Sequence, residues 1–457
     1  MTYERQMVDA FFNDYARYKE DFLKTKEAVS RSKAIYKGEP VPYLHIPKFY
    51  TPADMLSFQS ALDGIHNISK KTIQLYLAHE EIRALFGFDS RLDTLIRLPH
   101  HYKTTVPMGR FDIFYYSLGK FQFCELNADG ASAMNEDHEL SQILMQTELA
   151  NAFKDKMSTS KFELFHSWVA EVKVIYQEFL KSKGLDANIG IKKVEFNKNE
   201  VNQKPCVAIL DFIDKGSSIE FDVFKSAFLE DGFEAIIVDP RDLIIQDGFL
   251  YADNRKIDII YRRLVTKDMM DRYDEIPVFI EGLMAGKTCV IGSIKTQIIH
   301  TKRFFEVLYD PTLRRYFDES ELAFIDRHVP YTRPLKKDEA FEGYIENRED
   351  YIIKPIDYYA SKGVCAGKDY DDTQWRNLLE EKATQEFIIQ KYCPVSLVDN
   401  LYEEENGNIV HRTFKTITGL FTYNEKLSGV YVRAGLNAII SGLHDGYTMS
   451  TLLCEEK

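Results

Sequence analysis

The sequence predicts an α/β protein, because two kinds of strand pattern stand among long helical patterns. From Pro205 onward, short apolar runs alternate with helical stretches, at 206–212, 233–238 and 256–263. Strands that are apolar along their whole length and alternate with helices indicate a parallel sheet covered on both faces. Residues 109–127 instead alternate polar and apolar side chains around a glycine, which predicts a hairpin. The 457 residues allow two or three domains.

Composition and charge exclude several classes of protein. The net charge of −13 argues against a general nucleic-acid-binding surface. The charged N-terminal stretch lacks the apolar core of a signal peptide, and no apolar run reaches the length of a membrane span. The six cysteines show no CxxC spacing, so we expect small buried residues of a reduced, cytoplasmic protein rather than a disulfide framework or zinc site.

Helical patterns dominate the first part of the chain. Residues 1–100 are predicted as an N-terminal helical region, with an extended, proline-bounded stretch at 43–52. Residues 101–182 are expected to hold the hairpin and two long amphipathic helices. The segment 182–205 is polar and predicts a boundary with one short strand. Individual helices are predicted at 3–35, 52–64, 69–79, 79–86, 136–156 and 162–180.

The predicted hairpin turns at Gly119-Lys120, since the first central position of a type II′ turn needs positive φ. This turn pairs Asp112 with Asn127 and Phe114 with Glu125. Because side chains alternate along a strand, one face is predicted to carry Arg110, Asp112, Glu125, Asn127 and Asp129. The opposite, apolar face is predicted to carry Phe111, Ile113, Tyr115, Cys124 and Leu126.

Such a polar face has the chemistry of a magnesium site beside a polyphosphate. Mg²⁺ takes hard oxygen ligands, commonly one or two carboxylates together with substrate phosphates and water. Asp112, Glu125 and Asn127 are the candidate ligands, and Arg110 is the candidate to neutralise a developing anionic oxygen. The alternative is a hairpin with one solvated polar face.

The runs GRFD (109–112) and CELNADGASAMNE (124–136) resemble the metal-binding segment of glutathionylspermidine synthases and related circularly permuted ATP-grasp ligases. The resemblance implies that Arg110, Asp112, Glu125 and Asn127 contact phosphates and magnesium. It also implies that Ser132 and Glu136 contact substrate. As an N-cap and a first-turn acid of the next helix, both have an equally good structural explanation.

The region 205–300 resembles the pre-ATP-grasp domain of that family, in which a strand commonly ends in Tyr-Arg-Arg. Ligands bind beyond the carboxyl ends of parallel strands, which places Asp211, Asp214, Lys215 and the pair Arg262-Arg263 at candidate site positions. The resemblance implies that the two arginines clamp a carboxylate substrate. Alternatively, they cap strand edges.

Residues 301–457 are predicted to form the nucleotide-binding lobe and the rest of the ATP-grasp core. The order of a helix lysine (Lys302), Ile-Lys-Pro (Lys354), a short loop and an Ile-Gln strand matches the family. The two lysines would bind phosphates, loop 358–363 would cover them, and a strand edge at Gln390, Lys391 and Tyr392 would bond adenine. The family loop usually has two or more glycines, whereas this one has only Gly363, so Ser361 and Lys362 would compensate. Arg433 would return to the phosphates or simply end a strand, and TLLCEEK (451–457) is predicted as a short tail.

The resemblance implies an ADP-forming, ATP- and Mg²⁺-dependent carboxylate–amine ligase that works through an acyl phosphate. Its partners would be a carboxylate and an amine, and the acidic surface suits a polyamine. The family's best-known substrates are glutathione and spermidine. One alternative is a catalytically inactive ATP-binding partner or scaffold, favoured by the single-glycine loop. Another is a small-molecule kinase. His411 and His444 are predicted to be structural.

Overall fold

The structure is a computed structural model that describes residues 2–36, 38–185, 204–214, 218–337, 340–358, 361–440 and 446–457. Most of the predicted boundary segment, together with Lys215 and His444, lies outside these residues. No helix in the described ranges combines the length and apolarity needed to cross a membrane.

The first hundred residues contain long helices and short strands. The two helices predicted over 52–79 form one continuous helix, which begins with a capping box at Thr51 and Asp54. Gly64 lies inside this helix, where any larger residue would clash with the ring of Phe324. The elements are α1 (Tyr3–Asn13), α2 (Tyr15–Ser30), β1 (Ile35–Tyr36), β2 (Glu39–Pro40), β3 (Tyr43–Tyr50), α3 (Pro52–Ala78), α4 (Glu80–Phe86) and α5 (Ser90–Arg97).

The next segment holds the hairpin and α8, the helix that joins two sheets. Trp168 on α8 is fully buried, with its ring 5.1 Å from the ring of Tyr261 and 5.3 Å from that of Tyr423. This contact fixes the parallel sheet beside the central sheet. The elements are β4 (Met108–Ser117), β5 (Lys120–Asn127), α6 (Met134–Leu144), α7 (Glu148–Asn151), β6 (Met157–Lys161) and α8 (His166–Ser182).

The region after residue 204 forms the predicted parallel sheet, and the α/β fold is confirmed. The parallel strands have the order β13-β12-β7-β8, and a separate antiparallel sheet, β11-β10-β9, turns at Asp247-Gly248. The elements are β7 (Cys206–Leu210), α9 (Ser218–Glu230), β8 (Glu234–Val238), β9 (Ile244–Gln246), β10 (Phe249–Ala252), β11 (Arg255–Lys256), β12 (Ile259–Arg262), α10 (Thr266–Asp271), α11 (Pro277–Ala285), β13 (Cys289–Ile291) and α12 (Gln297–His300).

The last part of the chain builds a small antiparallel lobe and then returns to the central sheet. The lobe has the strand order β14-β17-β15-β16, and Trp375 and Ile353 are buried in its core. The elements are α13 (Arg303–Val307), α14 (Pro311–Arg314), α15 (Glu319–His328), β14 (Thr332–Pro334), α16 (Glu342–Glu346), β15 (Tyr351–Pro355), β16 (Cys365–Ala366), α17 (Asp372–Lys382), β17 (Phe387–Lys391), β18 (Ser396–Glu403), β19 (Ile409–Tyr423), β20 (Lys426–Gly435) and β21 (Tyr447–Glu456).

The central sheet draws its strands from distant parts of the chain. Its order among the described residues is β3-β21-β20-β19-β4-β5, with β18 on β19 and β6 on β21. The prediction that residues 451–457 form a tail is wrong, because residues 451–456 belong to β21, where Leu452 and Cys454 are buried. The extended stretch predicted at 43–52 contains β3, which pairs in parallel with β21 and so joins the first hundred residues to the central sheet.

The hairpin of β4 and β5 has a different register from the predicted one. Its turn residues are Leu118 and Gly119, and Gly119 has positive φ (69°). Asp112 therefore pairs with Glu125 rather than with Asn127, and two bulges interrupt the ladder. One bulge turns Cys124 away from the core, and the fully buried Phe123 takes the place predicted for it.

Candidate active site

The structure brings the predicted polar side chains of β4 and β5 together. Arg110 Nε donates a hydrogen bond of 2.8 Å to Asp112 Oδ1. Asn127 Nδ2 lies 3.3 Å from Asp112 Oδ2 and 3.2 Å from Glu125 Oε1. The side chain of Asp112 is fully buried. Asp129 does not join this face, because its carboxylate pairs with Arg262 beyond the end of the strand.

Cations from distant elements converge on the same carboxylates. Arg433 Nη2 on β20 lies 2.5 Å from Asp112 Oδ2 and 3.7 Å from Glu125 Oε1. Lys302 Nζ lies 3.7 Å from Glu125 Oε2. Burial disfavours the ionised form of Glu125, but the charges of Lys302, Arg433 and Lys354 outweigh it and hold the pKa of this carboxyl well below its usual range. The site therefore keeps Glu125 anionic.

Lys354 on β15 lies at the base of a narrow cavity between the small lobe and the central sheet. Its Nζ donates to Gln390 Oε1 at 2.8 Å and to the carbonyl oxygen of Cys124 at 3.3 Å. Gln390 Nε2 donates in turn to Thr332 Oγ1 at 2.8 Å, which holds the buried lysine in place. The apolar side chains that line this cavity include Phe114, Ile352, Val395, Ile417 and Ile440.

The predicted strand edge for adenine is wrong in one respect. β17 is flanked on both sides, by β14 and by β15, so it has no free edge over 387–391. The backbone N–H groups of Lys391 and Tyr392 donate to the carbonyl oxygens of Tyr331 and Asp350. Gln390, Lys391 and Tyr392 do line the cavity. The ammonium of Lys391 forms a 2.8 Å ion pair with Asp350, which belongs to the same small lobe.

The loop after β15 contains one glycine, yet two of its described residues have left-handed backbone conformations. Gly363 has φ of 73°, and Ser361 has φ of 58°, which is uncommon for a residue with a side chain. Ser361 lines the narrow cavity, whereas Lys362 is exposed. Lys302 Nζ donates to the carbonyl oxygen of Tyr358 at 2.7 Å, which ties the loop to the polar face.

A second, larger cavity of about 350 Å³ lies on the other side of the polar face. It shares Glu125, Tyr358 and Arg433 with the narrow cavity, so the two spaces adjoin at Glu125 on the polar face. Its further charged lining residues are Arg110, Asp129, Glu136, Asp211, Arg263, Lys267, Asp268 and Asp357.

The two predicted substrate arginines have different positions. Arg263 lines the larger cavity, and its Nη2 donates to Glu220 Oε1 at 2.7 Å. Arg262 does not line this cavity, and its side chain is fully buried. Its guanidinium bonds to Asp129 and to the carbonyl oxygens of Gly292 and Leu264. Arg262 therefore joins the hairpin end to the parallel sheet, and the prediction that both arginines clamp a substrate fails for Arg262.

Ser132 and Glu136 both line the larger cavity. The carbonyl oxygen of Ser132 accepts a 2.9 Å hydrogen bond from Arg110 Nη1. Ser132 is not the N-cap of α6, since Ala133 has that position. Burial, and then the charge of Glu220, raise the pKa of Glu136 to about 8. Burial also raises the pKa of Asp211, at the end of β7, to about 7.

Sequence reasoning missed Glu220, Tyr431 and Tyr36. Glu220 is a first-turn acid of α9, a position that many helices fill with an acid for purely local reasons. Tyr431 on β20 and Tyr36 on β1 line the larger cavity from segments about four hundred residues apart. Nothing in the local pattern of either tyrosine separates it from a packing residue.

The donor set fits magnesium that is shared with a polyphosphate. It contains two carboxylates and one amide, and no group of three or more His, Cys, Asp or Glu in the described part of the chain could hold a metal alone. Mg²⁺ commonly takes one or two carboxylates and completes its shell with phosphate and water. Lys302, Lys354 and Arg433 supply the positive charge that a polyphosphate needs.

Two lobes, a cation-lined cleft and a carboxylate hairpin between them define the class of ATP-grasp proteins. Residues 215–433 match the family model described as circularly permuted ATP-grasp type 2. Over these residues, which are just under half of the chain, the chain is similar to this family. The permutation agrees with the chain order seen here, in which the carboxylate hairpin precedes the small lobe.

Comparison with solved structures gives the same fold. A glutathione synthetase-like effector from Globodera pallida, in its apo form, superposes with a TM-score of 0.55 at 10% identity, over 95% of this chain and 97% of that one. D-alanyl-alanine synthetase A from Vibrio cholerae O1 biovar eltor matches 47% of this chain and 68% of its own, at 12% identity and a TM-score of 0.25, too low to carry an argument. A search of curated proteins finds no match.

Proposed function

We propose that the protein is an ATP-dependent carboxylate–amine ligase that forms an amide through an acyl phosphate and releases ADP. One observation carries the proposal: two cavities of different chemistry meet at Glu125 and Arg433. The narrow one has apolar walls and a buried lysine, as a nucleotide requires. The larger one has charges of both signs, as a carboxylate and an amine require. Proteins of the ATP-grasp family are typically ATP-dependent ligases.

In this proposal, the residues between the cavities bind the phosphates. Lys354 and Lys302 hold the nucleotide phosphates as point charges, and Arg433 balances charge at the junction. Asp112, Glu125 and Asn127 would hold Mg²⁺, and ATP, when bound, would supply the phosphoryl group that activates the carboxylate. Arg110 points one edge of its guanidinium at Asp112 and another at the carbonyl oxygen of Ser132. It is positioned to stabilise negative charge on the reacting carboxyl.

The larger cavity would bind the two substrates. Arg263 is the candidate partner for a substrate carboxylate, because it lines the cavity and carries a positive charge, although its guanidinium already pairs with Glu220. Ser132 and Glu136 line the wall beside Arg110 and are candidates to contact the reacting groups. The acidic lining residues suit an amine that carries positive charge. A glutathionylspermidine synthase-like pair, a peptide carboxylate and a polyamine, is consistent with this arrangement.

One observation favours an inactive ATP-binding partner instead. The phosphate loop has a single glycine, so fewer of its amides can approach a phosphate closely. The left-handed φ of Ser361 reduces the weight of this observation, because it gives the loop a second turn of the kind that glycine usually provides.

A substrate screen tests the proposal. The purified protein is incubated with Mg-ATP, with glutathione or free amino acids as carboxylates, and with ammonia, methylamine or spermidine as amines. ADP release is measured by a coupled assay and amide formation by mass spectrometry, with Asp112→Asn as the inactive variant. ADP and amide that require both substrates support the ligase. A phosphorylated product without amide indicates a kinase, and ATP binding without turnover indicates the partner protein.

A further inference from the structure

The carboxyl group of Glu136 is unusual in the wall of the larger cavity. Its residue is only 7% exposed, yet it lines the cavity. Oε2 is buried and accepts no hydrogen bond from any described residue. A buried carboxyl oxygen without a partner is destabilising, so it needs an explanation beyond packing.

The usual structural role of an acid at this position is already filled by another residue. Glu136 lies in the first turn of α6, where a carboxylate normally accepts hydrogen bonds from free backbone N–H groups. In this helix the N–H groups of Met134 and Asn135 donate instead to Glu220 Oε2, at 2.9 and 3.3 Å. Glu220 Oε1 is held by Arg263 at 2.7 Å. Glu220 thus accepts from the first two N–H groups of α6, while the Glu136 carboxylate interacts with its own backbone N–H and keeps Oε2 without a partner among the described residues.

The charged and titratable groups that act on Glu136 come from four other elements. They are Glu220 on α9, Arg110 on β4, Arg263 after β12 and Tyr431 on β20. Arg110 connects this wall to the polar face, since it bonds both to Asp112 and to the carbonyl oxygen of Ser132. Glu136 therefore lies beside the group expected to hold the activated carboxyl, on the substrate side of the metal ligands.

We propose that Glu136 is the catalytic base that deprotonates the attacking amine, an inference that rests on the proposed ligase function. The ammonium of the incoming amine gives one proton to the Glu136 carboxylate. The nitrogen lone pair then forms the C–N bond at the acyl phosphate carbon, and the C–O bond to phosphate breaks with its electron pair. The second nitrogen proton leaves with the phosphate, as HPO₄²⁻. Glu136 returns its proton to water after each turnover.

The acidity of the site agrees with this role. Burial, and then Glu220, raise the pKa of Glu136 to about 8, which narrows the difference from an alkylammonium ion, whose pKa is about 10.4, to roughly two units. A base is most effective when its pKa lies near the working pH. An ordinary exposed glutamate would be several pKa units too weak to take the proton from an alkylammonium ion.

A comparison of two nucleophiles distinguishes a catalytic base from a residue that only binds substrate. Methylamine is protonated at neutral pH and needs a base, whereas hydroxylamine is uncharged and traps acyl phosphates without one. In Glu136→Gln, we expect amide formation from methylamine to fall about 10²- to 10⁴-fold in kcat, and hydroxamate formation to stay within about threefold of the wild type. The control is Asp137→Asn, which changes the adjacent buried carboxyl. Asp137 bonds to Thr451 and does not line the cavity, so both products should be retained.

The outcomes distinguish the inference from the function on which it rests. Equal loss of hydroxamate and amide in Glu136→Gln would overturn the base and assign Glu136 to binding. No hydroxamate and no ADP from the wild type would refute the ligase itself. If Glu136→Gln does not fold, the wild type can be tested without substrates. Its infrared difference spectra should show a buried protonated carboxyl that titrates near pH 8. A band that is already lost by pH 6 would overturn the proposal.

Discussion

Replacing Asp112 with asparagine removes one carboxylate from the polar face and keeps the side-chain volume. Asp112 is fully buried and accepts from Arg110 at 2.8 Å and from Arg433 at 2.5 Å. The substitution removes the anion that the guanidinium groups of Arg110 and Arg433 share. The remaining carboxylate, that of Glu125, lies farther away. Loss of one partner of a buried ion pair destabilises a fold by about 3–5 kcal/mol.

The same substitution changes ligand binding by a predictable amount. Unfolding entropy is about 2.1 cal/mol/K per residue, which gives about 1 kcal/mol/K for 457 residues that unfold together. The apoprotein Tm should therefore fall by about 3–5 °C. Mg-ATP at a hundred times its Kd stabilises the wild type by about 2.7 kcal/mol, which corresponds to a rise of about 3 °C. We expect this rise to be absent in Asp112→Asn.

Differential scanning calorimetry of both proteins, with and without Mg-ATP, measures these shifts. Asp137→Asn is the matched control, because it also removes a buried carboxylate but one that bonds only to the neutral Thr451. It should keep the full rise with Mg-ATP. A rise of the same size in Asp112→Asn and in the wild type would refute the assignment of Asp112 as a metal ligand. So would a rise in the wild type that survives removal of magnesium by EDTA.

Three further predictions use other parts of the structure. Lys354→Gln should raise the Kd for ATP about 10- to 100-fold, because one charge-assisted bond contributes about 1.5–3 kcal/mol, and titration calorimetry measures it. The folded-state pKa of Glu136 is raised to about 8 from 4.5; folding therefore favours the protonated form, and stability falls as pH rises through this window. In urea unfolding, the free energy of unfolding of Glu136→Gln should increase relative to that of the wild type between pH 5 and pH 9. A difference between the two proteins that does not change with pH would contradict the raised pKa of Glu136. Gly130 has φ of 59°, and a Cβ there would lie 2.5 Å from Val265 Cγ1, so Gly130→Ala should lose about 2–4 kcal/mol of unfolding free energy. Gly87→Ala, with φ of 62° and nothing within 4 Å, should lose only about 1 kcal/mol in the same denaturant series.

The polar hairpin shows why part of the site could be predicted from sequence. The predicted pairing of Asp112 with Asn127 is wrong by two residues, since Asp112 pairs with Glu125. A shift of two preserves the side-chain alternation, so the carboxylates still lie on one face. The prediction for Cys124 failed because a bulge adds one residue and reverses the alternation at that point. Bulges depend on the neighbouring strands, and the hairpin sequence does not reveal them.

The larger cavity shows the opposite case. Its walls come from β1, the hairpin, the ends of the parallel strands, and β20 and β21, and no local pattern indicates that these segments meet. The prediction treated Arg262 and Arg263 alike because they are adjacent in a strand. Adjacent strand residues point to opposite faces, and both arginines are buried, but Arg262 packs against Asp129 away from the cavity, whereas Arg263 pairs with Glu220 and lines it.

By itself, the sequence determined the local elements: the apolar parallel strands, the polar face of the hairpin, and the order in which Lys302 and Lys354 follow the carboxylates. These features depend on residue type and spacing alone. Only the tertiary structure decided that β3 and β21 complete the central sheet, that Glu220 caps α6, and that Glu136 faces the cavity as a buried carboxyl. Burial and electrostatic environment are set by segments far apart in the chain, so the chemistry of Glu136 exists only once those segments have packed together.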